Sequence, residues 1–389
     1  MSSPTTHIEP GVAPVPSRPP DSAALVTGRL HIYVAFDWGD EVDLDRARQL
    51  APGAIVALSR RPRTPTSIGY KPPPLRFRLA PVSLELPGVA DARIEAVEAT
   101  VFDFAAVSVS LQVPFRLSPA ELTVLAGHLA DTGSVLALVQ AVRRALEPLH
   151  QKMLPAVQKP HWHDNLWEEY FVFQLPPGAP FEPEPLLEDR AGWLAGLLRL
   201  EDQPLSAQEV AEAMRLPLRY GRHDLFIPDW AAAVLLDHER ECDETLQVIE
   251  FANLQLLEYR HIDDRLDTFL TRADDFLRRA GRSRLPFWRG PETPLRVLGE
   301  FKVEANGLFE RTGNVFKLVG DQYLARVYRL LATRFHLGEW ERGIQRKLDV
   351  IEGVYKVLSD QTATFRTEFM EVIVISLIFL EILLAVFRH

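Results

Sequence analysis

The sequence predicts an α+β protein. Antiparallel strand/helix units fill the N-terminal half and read as two related copies; long C-terminal helices follow and end in a hydrophobic helix. Three observations carry this. Val107, Val109, Leu111 and Val113 alternate with Ser108, Ser110 and Gln112, the period of two of a half-buried strand. Ser118-Pro119-Ala120-Glu121 supplies a capping serine, a proline at the first helical position and a glutamate at the third, which opens a helix. Ile344, Leu348, Ile351, Tyr355, Leu358, Thr362, Phe365 and Phe369 are spaced alternately by four and three, which makes a heptad seam.

The 389 residues are 47% hydrophobic and 25% charged, enough apolar side chains to bury a core, so wholesale disorder is excluded. The net charge of −10 argues against a general nucleic-acid coat and confines any such contact to a local patch. With one cysteine, Cys242, neither an internal disulfide nor a four-cysteine zinc site can form.

Residues 1–28 begin with prolines at 4, 10, 14, 16, 19 and 20 and no apolar run. They read as a disordered tail, with neither a secretory signal nor a transit peptide. The first α+β unit covers 29–150. His31 to Phe36 and Ala54 to Leu58 are strand candidates, and Asp43 to Leu50 is a short helix. Arg60, Arg61, Arg63, Lys71, Arg76 and Arg78 then follow with no acid among them. Guanidinium forks bind phosphate, and Tyr70 and Phe77 offer stacking faces. This loop is the candidate contact for an anionic partner, with RNA, lipid headgroups and plain solvent exposure all open. Ile94 to Phe104 pairs antiparallel with the alternating strand. The Ser118 helix runs to about Ala130, and another covers Val135 to Leu149.

The second unit covers 151–290. It holds a strand at Glu169 to Gln174, a helix at Leu186 to Leu200, a second capping box at Ser206 to Glu209, and a long helix from Thr245 to Arg279. Asp103-Phe104-Ala105-Ala106-Val107 resembles Asp229-Trp230-Ala231-Ala232-Ala233-Val234, which is the basis for reading the units as duplicated. After a proline-marked break at Arg282 to Pro294, residues 291–368 are helical and carry the seam. That face serves either self-association, with Ile344, Leu348, Ile351, Tyr355, Leu358 and Phe365 as the contact, or packing on the chain's own domain. Phe369 to Phe387 is a hydrophobic run about 28 Å long as a helix. It reads as a transmembrane anchor at 369–387, with the intramembrane carboxylate Glu381 kept from lipid.

No phosphate-cradling glycine loop, nucleophile elbow or zinc-protease motif occurs, so no catalytic residue, metal or cofactor is assigned. Two histidine groups stand out. In His161-Trp162-His163-Asp164 the side chains two apart can chelate a metal from a strand or loop. His261 precedes Asp263 and Asp264 on a helix, where spacing of two points to different faces. Solvated surface is the alternative for both.

The segment Trp340 to Gln361 and the run after it, with Arg346, Lys347, Leu348, Asp349, Glu368 and Glu381, resemble the end of the RMND1/Rmd1 family. The stretch from His223 to Asp263 resembles that family's strand pair and amphipathic helix. The resemblance implies a tail-anchored membrane protein with a large cytosolic domain, acting as a non-enzymatic scaffold that supports translation by tethering ribosomes or RNA. Without a transit peptide, the expected place is the bacterial cytoplasmic membrane, and the expected partners are the membrane and further copies of the chain. Two alternatives stand beside it. One is a membrane-anchored metal- or nucleotide-dependent enzyme using the histidines. The other is a soluble homo-oligomer with buried C-terminal helices.

Overall fold

Strand β1 (Val26–Asp37) pairs along its whole length with β8 (Ala106–Leu117) and on its other edge with β10 (Glu168–Leu175), both antiparallel. The computed structural model describes residues 25–52, 55–56, 72–89, 93–94, 96–178, 181–238, 242–282, 299 and 322–387. Arg60, Arg61, Arg63, Lys71, Tyr70, the 282–294 break beyond Arg282 and all but the last four residues of the expected tail lie outside these. The chain divides into two units. Met1–Glu258 with Thr312–Gly338 form the first, and Tyr259–Arg311 with Glu339–His389 the second.

The remaining strands of the first unit are β2 (Glu41–Val42), β3 (Ile55–Val56), β4 (Leu75–Arg78), β5 (Val82–Ser83), β6 (Arg93–Ile94), β7 (Val97–Val101), β9 (Val157–Gln158), β11 (Leu225–Pro228) and β12 (Ala232–Leu236). Its main sheet has eight strands in the order β11-β12-β10-β1-β8-β7-β4-β3. The expected all-antiparallel pairing needs one correction: β10 and β12 are parallel, with Phe171 opposite Ala232 and Leu175 opposite Leu236. A parallel neighbour requires a crossover. The chain between them supplies it as α4 (Pro183–Asp189), α5 (Ala191–Arg199) and α6 (Ala207–Ala213).

Alternation along β1 separates two layers. Leu30, Ile32, Val34 and Phe36 belong to the large core that also takes in Leu122 and Leu125 of α2 (Pro119–Ala130), Val142 and Leu146 of α3 (Thr132–Met153), and Leu194 of α5. Each such side chain, fully buried, contributes about 1.5–3 kcal/mol. On the opposite face Ala35, Phe104 and Ala106 pack with Leu254 and Leu257 of α7 (Asp243–Arg282). Within the first unit the sheet is therefore covered by helix on both sides. A short helix, α1 (Leu44–Leu50), and α8 (Gln322–Arg334) complete it.

The two similar blocks both fall at hairpin turns, between β7 and β8 and between β11 and β12. Beyond the turns they diverge. β8 leads into α2 and runs beside β1, whereas β12 leads towards α7 and runs parallel to β10. The likeness is confined to the hairpins.

In the second unit, α9 (Leu337–Phe387) is one continuous helix. Ile344, Leu348 and Ile351 are buried within the chain. Beside them Lys347 Nζ lies 2.7 Å from Asp263 and 2.6 Å from Asp267 of α7, so this face turns towards α7. The reading of these three residues as a seam between copies is corrected to intrachain packing. The side chains of Tyr355, Leu358 and Phe365 lie outside the described ones.

The membrane anchor is corrected as well. Among the described residues no single helix is long and apolar enough to cross a membrane. Glu371 and Glu381 are both exposed on α9. The uncharged stretch between them, Val372 to Leu380, spans only about 14 Å against a hydrocarbon core of roughly 30 Å. The placement at a bacterial cytoplasmic membrane and the membrane as a partner rested on that helix and fall with it.

Candidate metal centre

At the end of β1 the chain reads Phe36-Asp37-Trp38-Gly39, and the segment after α3 is strapped against it. β2 pairs with β9, Asp40 N–H donates to Gln158 O at 3.0 Å, and His161 N–H donates to Trp38 O at 2.9 Å. The approach is close enough to require glycine at 39. A Cβ there would stand 2.6 Å from Val157 Cγ1 and 2.8 Å from the carbonyl oxygen of Gln158.

The strap is extended at 161–163, so alternate side chains part to opposite sides. Trp162 turns inward, its ring 5.7 Å from Phe36, 6.1 Å from Trp38 and 4.6 Å from His150. The Arg143 guanidinium lies 4.9 Å from the Trp162 ring, bonds Asp164 Oδ1 at 2.6 Å and also bonds the His163 carbonyl. His161 and His163 turn the other way. Their rings stand 4.9 Å apart and their ligating nitrogens lie within 4.8 Å of each other. Spacing of two, read from the sequence as a chelating pattern, thus brings the two imidazoles together.

Asp37 is the member that sequence reasoning missed. It is buried, accepts from Gly39 N–H at Oδ1 (3.1 Å), and takes a hydrogen bond from His161 Nε2 at Oδ2 (2.9 Å). The other ring nitrogen, Nδ1, lies 3.1 Å from Lys159 O. Burial pulls the His161 pKa down, but the hydrogen bond and charge of Asp37 outweigh it, and the net shift is upward. A carboxylate ending an apolar strand run was the one available signal for Asp37. A carboxylate holding one nitrogen of a histidine is also the usual second partner of a metal-binding imidazole.

Of the basic-loop candidates, two lie among the described residues. Arg76 pairs with Glu98 at 3.6 Å and with buried Glu250 at 3.4 Å, and Arg78 pairs with Glu98 at 3.7 Å. Arg76 is engaged within the chain while Arg78 stays largely exposed; nothing among the described residues supports an RNA or ribosome contact, and that partner reading is corrected. Cys242 is buried, receives a bond from Gln174 Nε2 at 3.1 Å, and has its thiol pushed up to about 12, chiefly by burial. His261, Asp263 and Asp264 lie on α7 in the second unit.

Residues 27–243, more than half of the chain, match the family described as "Uncharacterized protein MJ0711, N-terminal domain". The chain belongs to the MJ0711 N-terminal-domain family. Within it, the uncharacterized protein MJ0711 of Methanocaldococcus jannaschii is 24% identical over 204 residues, or 52% of this chain. The chain spans 62% of that relative's length. No solved structure matches. Membership of the MJ0711 family replaces the RMND1/Rmd1 resemblance. Much of that resemblance rested on residues after 339, outside the matched region. The scaffold supporting translation rested on that resemblance together with the terminal helix and the seam, and is withdrawn with them.

Proposed function

We propose that the chain binds a divalent transition-metal ion of the zinc type through His161 and His163, with Asp37 orienting His161. The observation that carries this is the pair of imidazoles on a strap anchored by backbone hydrogen bonds and by inward-facing Trp162. Imidazole suits borderline ions such as zinc, nickel and copper rather than magnesium or calcium. A bound ion would be held by His163 and by Nδ1 of His161, which would give up its contact with Lys159 O, while Nε2–H stays on Asp37. Two protein imidazoles leave positions for water or substrate, and a zinc-type ion supplies Lewis acidity there. Metal-assisted hydrolysis is accordingly the reaction class we assign.

Titration calorimetry of the full chain with zinc, and cobalt absorption spectra, test the proposal. The parent protein should take up the ion, and the double variant His161→Ala/His163→Ala should lose it. Asp37→Asn should weaken binding by roughly 10–100-fold, the usual effect of losing a carboxylate behind a ligating histidine. Equal zinc uptake by the parent and the double variant would overturn the site.

A further inference from the structure

A cavity of about 340 Å³ opens on the α2 and α3 side of the sheet, with none of the histidine strap in its lining. Its floor is the cross-strand pair Ile32 and Phe171, both in the core. Leu84 and Leu86, from the segment after β5, form one wall, with Leu129 from the end of α2. The other wall is one face of α3: Ala137, Leu138, Ala141 and Arg144, at positions i, i+1, i+4 and i+7 and so on one side along about 11 Å of helix. Ala141 leaves room where a larger side chain would fill it.

The two ends differ chemically. At the α2–α3 corner the polar groups satisfy one another. His128 Nε2 bonds Glu85 O at 3.1 Å, and Ser134 Oγ donates to Asp131 Oδ2 at 2.9 Å and lies 3.4 Å from His128 Nδ1. At the other end stands Arg144, exposed and without an ion pair among the described residues. A slot with apolar walls, Glu85 and Asp131 at its hydrogen-bonded corner and the guanidinium of Arg144 elsewhere in its lining complements a molecule with a hydrocarbon body and one anionic head placed away from that corner. At ~30 Å³ for each water-sized group, the volume holds roughly eleven such groups.

We infer that this cavity binds a medium-chain aliphatic carboxylate, with the chain lying along α3 over Ile32 and Phe171 and the head on Arg144. The assignment is independent of the metal reading.

Calorimetric titration of the full chain with octanoate, octan-1-ol and octylammonium tests it. Octanoate should bind at least tenfold more tightly than the alcohol, and octylammonium more weakly than either. Arg144→Gln, at an exposed position, should reduce octanoate affinity to that of the alcohol and leave the alcohol unchanged. Ala141→Phe should block octanoate and octan-1-ol alike. Absence of octanoate binding to the parent protein, equal affinity for octanoate and the alcohol, or an Arg144→Gln variant that keeps its octanoate preference would each overturn the inference.

Discussion

His150, on the last turn of α3, has both ring nitrogens out of water and no hydrogen-bond partner. Its ring packs 5.0 Å from Trp38 and 4.6 Å from Trp162. Burial, opposed only by the charge of Glu147, lowers its pKa. The sign of the consequence is fixed. The unfolded chain takes up this proton first as pH falls, so the contribution to stability is complete above about pH 6.5 and is lost as pH drops through the unfolded and then the folded value. Urea midpoints of the parent should therefore fall more steeply between pH 7.5 and 5.5 than those of His150→Phe, which has no proton to gain. Parallel pH curves would assign the acid sensitivity elsewhere. Nothing near position 150 in the sequence announces this histidine, because Trp38 and Trp162 reach it only through the fold.

At the scale of elements, α2 shows the legible case. Ser118 Oγ accepts from Glu121 N–H at 3.3 Å, and Glu121 Oε2 accepts from Ser118 N–H at 2.7 Å, the box that the spacing predicts. Ser118→Ala should cost about 1 kcal/mol, read as a lower urea midpoint with an unchanged slope. A loss below 0.3 kcal/mol (roughly the scatter between independent sites) would mean the cap is redundant. The next helix was less legible. The pattern ends at Leu149, one residue past Pro148, whereas α3 continues to Met153. Proline lacks a donor and disfavours a helix interior, but Leu149, His150 and Met153 are all buried, and their packing carries the helix through. Leu186 to Leu200, read as one helix, is two. α4 stops at Asp189 and α5 starts at Ala191, with Arg190 between them outside helical geometry.

At the scale of the whole molecule, α8 returns to the first unit after the chain has left it along α7, and Arg334 fastens it there. Buried Arg334 donates to the carbonyls of Glu212 at 2.8 Å and Ala213 at 3.1 Å, and stands 3.7 Å from Asp229. Arg199 Nε meets the same carboxylate at 2.9 Å. Burial raises the Asp229 pKa, while the Trp230 N–H, Arg334 and Arg199 act against that. Removing one partner from a buried pair costs about 3–5 kcal/mol when the other charge is left unpaired; Asp229 keeps Arg199 at 2.9 Å, so that range is an upper bound here. Arg334→Ala should lose less than that in chemical denaturation, and Arg334→Ala with Asp229→Asn should recover part of it. If the double variant is no better than the single, the cost lies in the lost carbonyl bonds instead.

The sequence by itself determined the elements whose signals lie within a few residues. These are the alternating strand at 107–113, the helix caps at Ser118 and Ser206, and the two histidines placed two apart. Only the tertiary structure decided which elements meet. Asp37 and His161 are 124 residues apart, and Arg76 and Glu250 are 174 apart. The burial of Ile344, Leu348 and Ile351 likewise depends on a fold-back that a heptad period does not encode. A period states which face of a helix or strand is apolar, not what covers it. The partner is set by strand register and by the crossover that makes β10 and β12 parallel, contacts for which loop closure must bring distant segments together before any is rewarded.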